Sequence, residues 1–380
     1  MKIALVRKDY TRKKGGAEGY AVALSLQLAV MGHEVHVFAN RIDAADTEEI
    51  TFHEVTVPKL RTFFKHVWFA KNVEKMLREE EFDVINGLSR IWHQDIYRVG
   101  DPLFKHWLNC HNPNFIDRIF GNLNPKQRVL LSLERRIFES PMLRRIIAIS
   151  ELDKRLLQEY YGLPEEKIRV IYNGVDHTRF RPENRTHRDE ILAGYGIPED
   201  RTIILFVGMD FKRKGLAYLI ESLALLGSER DGVRLLVVSN DNPKKYVQLA
   251  RRAGVDDIIV FAPATTEIHK VYGAADIFVF PTLYDPFANV HLEALATGLP
   301  TITTASAGGA EIVSKGTNGF VLSSPQAVEE MAERIREMLN TETRKQMSLN
   351  AVESVKDFTV ERNAREVAAL YEEVAAEKRG

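Results

Sequence analysis

The sequence predicts an α/β protein built on parallel sheets, and three stretches predict it. Residues 3–39 read as strand, Gly-rich loop, helix and strand. Residues 202–216 begin again with an apolar strand, a loop that ends in glycine, and a helix start. Residues 276–312 give strand, loop, helix and strand once more. Each loop then lies at the carboxyl end of a strand, where parallel α/β sheets place their ligands. The 380 residues allow two or three domains with ample cores.

In order, Ile3 to Val6 is the first strand and Arg7 to Lys14 a basic loop that leads to Gly15-Gly16. A helix follows from Ala17 to Met31, stopped by Gly32, and Val35 to Ala39 is a strand. Such a Gly-Gly pair is either a phosphate loop or a tight turn. Residues 59–78 carry Lys59, Arg61, Lys65, Lys71, Lys75 and Arg78 among Phe63, Phe64, Trp68 and Phe69. At helical spacing, positions 63, 64, 67 and 68 form one apolar stripe. That stripe either faces the core or lies on an anionic bilayer. Phe82 to Ile85 is a strand. The loop from Trp92 to Pro102 after it holds His93, Asp95, Arg98 and Asp101, and His93 is either a ligand contact or a solvated residue.

Residues 126–145 give an amphipathic helix packed on the domain, with Leu130, Leu131, Leu133, Ile137 and Phe138 among six basic residues. Ile146 to Ser150 and Ile168 to Tyr172 are strands, with a helix between them from Glu151. The polar stretch 181–200 is a linker with a cap helix. Thr202 to Val207 is a strand, and a helix starts near Leu216. Arg213 and Lys214 therefore stand between a strand's carboxyl end and a helix N-terminus, a place suited to a diphosphate, or else they form a solvated basic turn. Leu235 to Ser239 and Ile258 to Phe261 are strands, Ala327 to Leu339 is helical, and a last amphipathic helix runs from Val360 to Glu377.

The stretch 276–312 organises the chain. Ile277 to Phe280 is a buried strand closed by Pro281, and a helix runs from Phe287 to Thr297 before Gly298 and Pro300. Asp285 lies in the loop and Glu293 on the helix. Glu293 sits amid Val290, Leu292, Ala294 and Leu295, and a carboxylate is rarely buried unpaired, so it should face a cleft. The first-turn amides of Phe287, Ala288, Asn289 and Val290 suit an anion. Two carboxylates can accept bonds from sugar hydroxyls, so these groups together would hold a sugar nucleotide.

Composition narrows the classes. The net charge of −1 implies no general nucleic-acid partner. Residues 1–180 hold 28 basic against 24 acidic side chains, a mild excess that would let this half face an anionic surface. The single cysteine, Cys110, allows no disulfide within the chain and no cysteine metal site, and it is expected as a small buried hydrophobe in a reducing compartment. The N-terminus reads as a strand rather than a signal peptide, and no apolar run reaches membrane-spanning length.

Asp285-Pro-Phe-Ala-Asn-Val-His-Leu-Glu293, with Tyr272-Gly-Ala-Ala-Asp276 before it and Ala294-Leu-Ala-Thr-Gly-Leu-Pro300 after it, resembles the Glu-x7-Glu element of the retaining glycosyltransferases of family 4. Gly32-His-Glu-Val35, Asn173-Gly-Val-Asp176 and Ala307-Gly-Gly-Ala-Glu-Ile312 match that family as well. Asp210-Phe-Lys-Arg-Lys-Gly215 is similar to the bacterial lipopolysaccharide-core glucosyltransferases I. Asp285 departs from the family pattern, being one methylene shorter than Glu. Met209 departs too, standing where an Arg is more usual.

The resemblance implies a GT-B fold, two Rossmann-like domains facing a central cleft. Residues 1–178 with a returning helix at 361–380 would form the acceptor side, and 179–360 the nucleotide-sugar side. It implies transfer of a hexose, expected to be glucose from UDP-glucose, to a saccharide or lipid-linked acceptor with retention of configuration. By its roles Asp285 binds donor-sugar hydroxyls, Glu293 the ribose, Ala262 and Pro263 the base, and Gly15 and Gly16 approach the donor. Arg213 and Lys214 neutralise the leaving diphosphate. With Asp285 and Asp101 they form the expected catalytic set, while Glu18, Tyr20, His93 and Asp95 are expected to line the acceptor side. No Asp-X-Asp triplet occurs, so no metal and no cofactor is expected. The expected location is cytoplasmic, peripheral at the inner face of the membrane. The rival readings are a silent GT-B module that binds glycan or a partner, a nucleotide-sugar epimerase, and a phosphorylase, whose cofactor lysine is not identifiable.

Overall fold

The computed structural model describes residues 1–11, 16–43, 48–58, 64–111 and 124–380. It divides into two compact units, Met1–Asn173 with Val360–Gly380, and Gly174–Thr359.

The strands of the first unit, in chain order, are β1 Lys2–Val6, β2 Asp9–Thr11, β3 Glu34–Ala39, β4 Arg41–Asp43, β5 Ile50–Glu54, β6 Val84–Gly87, β7 Ile96–Arg98, β8 Arg145–Ala148 and β9 Ile168–Val170. Seven of them form one sheet in the order β5-β3-β1-β6-β7-β8-β9. Every described pairing in it is parallel, with Leu5 opposite Val37 on one side and Asn86 on the other. Parallel strands are covered on both faces, so they read as continuous apolar runs. Alternation along β1 shows why. Ile3 and Leu5 join one core cluster with the final helix, through Val367, Leu370, Tyr371 and Val374. Ala4 and Val6 join the opposite cluster with Phe69, Val73 and Leu77.

The final helix, Val360–Arg379, thus returns to the first unit. Val175 N donates to Phe358 O at 2.9 Å, and Val175 bridges Thr359, which ties the outgoing and returning chain together inside the second unit.

In the second unit, β10 Thr202–Val207, β11 Val233–Val238, β12 Ile259–Ala262, β13 Ile277–Phe280, β14 Thr301–Thr304 and β15 Gly319–Leu322 form a parallel sheet in the order β12-β11-β10-β13-β14-β15. The chain adds strands to one side of β10 and then crosses to the other. The strand order therefore reverses between β10 and β13, and the loops that follow those two strands meet at their carboxyl ends. A crevice for a ligand forms at such a switch point.

Three readings of the first half need correction. The stretch from Trp92 to Pro102 is not all loop: Ile96–Arg98 is a central strand. Three residues show no period of their own, and pairing with β6 and β8 makes them a strand. Arg7 is not part of an open basic loop either. It is 7% exposed, and its Nη1 donates to Leu88 O at 2.6 Å. On the helix Phe64–Leu77, the core face is Phe69, Ala70, Val73 and Leu77, while Phe64 and Trp68 are exposed. Phe63, Lys59 and Arg61 lie outside the described residues. The helix Pro125–Phe138 buries Leu130, Leu133, Ile137 and Phe138 as expected of an amphipathic helix packed on its domain. Cys110 is half-buried, beside His106 Nε2 at 3.4 Å.

Candidate functional site

The site is built where β10 and β13 end. After β10 the backbone turns through Asp210, a non-glycine residue with φ +64°. Its carboxylate accepts from Arg213 N at 3.3 Å and Arg213 Nε at 3.1 Å. Asp241, after β11, accepts from Phe211 N at 3.1 Å and from Asp210 N, which pins the turn. Gly215 closes it with φ +75°, and a Cβ there would stand 1.9 Å from Pro281 O, so only glycine lets the loops after β10 and β13 approach this closely.

That approach brings Arg213, Lys214 and Asp285 together. Arg213 Nη1 lies 2.8 Å from Asp285 Oδ2, and Lys214 Nζ bonds the same oxygen. Arg213 Nη1 also reaches Tyr284 O at 3.2 Å. Lys214 is 6% exposed and its ammonium rests 4.6 Å from the centre of the Phe280 ring. Burial pushes it down to about 8, against the opposing pull of Asp285. Burial acts in the other direction on Asp285, but Lys214 and Arg213 outweigh it and hold that carboxyl below its ordinary value. With Asp210 on the other side of Arg213, the cluster holds two cations between two carboxylates, and an anionic ligand would compete with those acids for the cations.

Asp285 itself is fixed by backbone. Its N donates to Ser306 O at 3.2 Å, and Gly308 N donates to its carbonyl at 2.8 Å, so the Gly-rich turn Gly308–Ile312 docks on the acid's loop. The helix Asn289–Ala296 begins beside it, with Ala288 at the N-cap. Alanine has no side-chain acceptor to cap the first turn, and His291 N donates to Ala288 O at 3.1 Å. Phe287 is buried, and Ala288, Asn289 and Val290 are half-buried. Glu293, one turn on, accepts from the Tyr272 hydroxyl at 3.0 Å. Its carboxyl is raised by burial, against the Tyr272 bond and the Arg179 charge.

Ala262 and Pro263 line a cavity of about 300 Å³ at the ends of β10, β11 and β12, walled by Phe211, Phe261 and Asp241. Ala262 O accepts from Ser239 N at 3.0 Å, so the sheet ladder already uses that carbonyl.

Two residues that the sequence singled out lightly, or not at all, support this site. His291 is fully buried, with Nδ1 3.1 Å from Ala288 O and Nε2 2.8 Å from Thr303 Oγ1. A carbonyl only accepts, so Nδ1 carries the proton. Burial lowers the ring to about 4, which keeps it neutral. A Cβ on Gly309 would stand 2.4 Å from His291 Nδ1, so the Gly-rich turn packs directly on this ring. A histidine on a helix face shared with Leu292 and Leu295 was the available signal. Asp241 had none, being one acid among many in a polar loop.

In the first unit the corresponding switch point lies between β1 and β6. Arg7, after β1, pairs with Glu18 at 3.2 Å and Asp101 at 3.6 Å, and Arg90 stands 3.8 Å from Asp101. Burial would raise Asp101, but Arg7 and Arg90 hold it below its ordinary value. Gly16 precedes the helix Ala17–Val30 with φ +70°, and Gly15 lies outside the described residues. His93 is half-buried and lines a cavity of about 450 Å³ with Trp92, Arg136 and Glu74.

Two residues expected on the acceptor side are held by contacts inside the first unit. Asp95 is 3% exposed, and its Oδ2 accepts from Ile85 N at 2.8 Å and Lys378 Nζ at 2.9 Å. It ties the final helix to the sheet. Tyr20 belongs to the core, with the Arg98 guanidinium 3.5 Å from its ring centre. Asp95 turned inward because Lys378, distant in sequence, satisfied it, and Tyr20, on the first helix, because Arg98 packed on its ring.

Residues 187–354 match the model of glycosyl transferases group 1, and residues 14–179 that of glycosyltransferase family 4. A probable transglycosylase of Burkholderia thailandensis is 32% identical over 298 residues, 77% of this chain and 75% of that protein. The chain is a glycosyltransferase of family 4. The lipopolysaccharide glucosyltransferase WaaG of Escherichia coli (strain K12) is 26% identical over 327 residues, 86% of each chain. A crystal structure of WaaG, a glycosyltransferase involved in lipopolysaccharide biosynthesis, superposes with a TM-score of 0.85 at 23% identity, covering 97% of this chain and 99% of that one. Anabaena HepE in complex with UDP and glucose superposes with a TM-score of 0.75 at 20% identity over 97% and 99% of the chains. The fold of this glycosyltransferase is therefore GT-B, with two parallel-sheet α/β domains.

Proposed function

We propose that this glycosyltransferase moves glucose from UDP-glucose to a saccharide acceptor, with retention of anomeric configuration and without a divalent cation. The observation that carries the reading is the buried cluster of Arg213, Lys214 and Asp285 at the end of β10 and β13. In this reading the two cations would meet the diphosphate, and the chain has no Asp-X-Asp triplet to hold a metal there. The similarity to WaaG, a glucosyltransferase, and to HepE, which has been seen with UDP and glucose, supports the choice of sugar and base.

In this reading Ala262 and Pro263 receive the base, Glu293 the ribose, and the first-turn amides of residues 287–290 the phosphates. Asp285 accepts bonds from glucose hydroxyls. The bond between the anomeric carbon and the diphosphate oxygen breaks as negative charge grows on UDP. Arg213 and Lys214 meet that charge in a buried site, where a fixed cation acts strongly. The acceptor hydroxyl adds from the face the diphosphate leaves, and its proton passes to the departing phosphate oxygen. The acids are committed to bonding, so neither serves as the nucleophile of a double displacement. Asp101 and Glu18, which both pair with Arg7, are the acceptor-side groups.

Incubation with a panel of nucleotide sugars in EDTA tests this. UDP-glucose with a saccharide acceptor should give an α-linked product, read from its anomeric proton coupling. A β-linked product, or turnover only after Mn²⁺ is added, overturns retention or metal independence respectively. Conversion of UDP-glucose with no acceptor would reveal an epimerase instead.

A lipid-linked saccharide is the acceptor class that fits the first unit's surface. Among the described residues no helix is long and apolar enough to cross a membrane. The exposed face of Phe64–Leu77 nonetheless carries Phe64 and Trp68, with Lys71 Nζ 5.3 Å from the Trp68 ring centre. Aromatic and basic residues on one exposed helix face suit peripheral contact with an anionic bilayer. Liposomes rich in anionic lipid should pull the protein down at low salt and release it as salt rises, since screening acts within about 10 Å at 0.1 M. No pull-down at low salt contradicts the contact.

A further inference from the structure

A second cluster lies in the first unit, among residues the transfer chemistry does not use. His36 on β3, His53 on β5 and Glu80 beyond the helix Phe64–Leu77 each turn a ligand atom toward one point, all within 4.8 Å of one another. His36 Nδ1 is 2.8 Å from His53 Nε2 and 4.0 Å from Glu80 Oε2. We propose that these three side chains bind a divalent transition-metal ion, zinc being the best match.

The ligand chemistry is that of a zinc site: two imidazoles and a carboxylate, with a fourth position left for water. At bond lengths near 2.1 Å, tetrahedral ligand atoms stand on the order of 3.4 Å apart. The spacings here bracket that value, so small side-chain rotations close the site.

The protonation pattern points the same way. His36 Nε2 lies 2.9 Å from Glu34 Oε1. A carboxylate can only accept, so on a neutral ring Nε2 holds the proton and Nδ1 accepts from His53 Nε2, whose proton a bound ion would displace as His53 shifts to its other tautomer. A carboxylate that orients a histidine from behind while the other nitrogen meets the metal is the usual arrangement around a bound ion. Stacking fixes the rings as well. His53 lies flat on Phe38 with centroids 4.3 Å apart and planes at 5°. The elements joined are the edge strand β5, its neighbour β3, and the segment after the helix, so an ion would staple one margin of the seven-stranded sheet.

One group opposes the ion. Lys2 Nζ is 2.9 Å from Glu80 Oε2 and 3.7 Å from Glu34 Oε1. It sits as a competing cation, and removing its charge should tighten the site.

Zinc titration of the metal-stripped full-length chain, in competition with a chromophoric chelator, tests this. One equivalent should bind and raise the melting temperature. His53→Gln and Glu80→Gln, both outside the core, should each remove that equivalent. Glu34→Gln should weaken it by about 10–100-fold, and Lys2→Met should strengthen it. Failure to take up one equivalent overturns the proposal. So does equal affinity in folded His53→Gln and Glu80→Gln, which would leave only scattered surface histidines as the ligands.

Discussion

Lys214→Ala is expected to lower kcat by about 10²–10³-fold, the usual loss for one group that stabilises developing charge. KM for an uncharged acceptor should change little. The reason is placement: the ammonium is buried against Phe280 and Asp285, where no water can take over its charge. The same placement predicts a pH dependence. Burial lowers this lysine to about 8 in the free protein. Its charge is present below that pH and lost as pH rises through it, so kcat/KM should fall on the alkaline side from about pH 8. A bound diphosphate adds negative charge and stabilises the ammonium, so the fall in kcat should come at higher pH. Steady-state profiles of both constants check this. A variant with near-normal turnover, or a kcat/KM with no alkaline fall, removes Lys214 from the mechanism.

The two acids should respond with opposite signs. Glu293→Gln replaces a charged acceptor with a neutral one, and bonds to charged groups contribute about 1.5–3 kcal/mol. UDP affinity should drop accordingly. Asp285→Asn removes the anion that Lys214 and Arg213 share. Breaking a buried pair costs about 3–5 kcal/mol when a charge is left alone, so the free protein should melt lower. UDP then supplies the missing negative charge. Its affinity should hold or rise and its stabilisation should exceed the wild-type value, while turnover with the sugar nucleotide falls. Asp285→Glu should be tolerated and shift donor preference, since the added methylene moves the carboxylate within the same cation pair. Equal loss of UDP affinity in Asp285→Asn and Glu293→Gln would mean that both acids serve the nucleotide.

Much of the second unit could be read from sequence because its strands are buried on both faces. Thr202–Val207 and Ile277–Phe280 are unbroken apolar runs, and the structure has them at those bounds. The loops that follow carry Arg213, Lys214 and Asp285 by simple succession. Their meeting depends on a strand order that no local pattern states, and on Gly215 lying against Pro281. The first unit was harder. Asp95 looks like a loop acid until Lys378 arrives from 283 residues away. Ile96–Arg98 is too short to show a period. Tyr20 sits on a helix start that faces ligand in one reading and core in another, and only packing against Arg98 decides. Polar residues near strand ends carry one sequence signal for two fates, a ligand contact or a buried clamp.

The central claim is that the second unit holds a nucleoside diphosphate with fixed cations in place of a metal. Calorimetry of UDP in EDTA tests it most directly. The account predicts one UDP per chain with chelator present, weaker in Glu293→Gln, and about 2.7 kcal/mol of added stability at a hundred times the dissociation constant. Binding that appears only when Mn²⁺ replaces the chelator would contradict it.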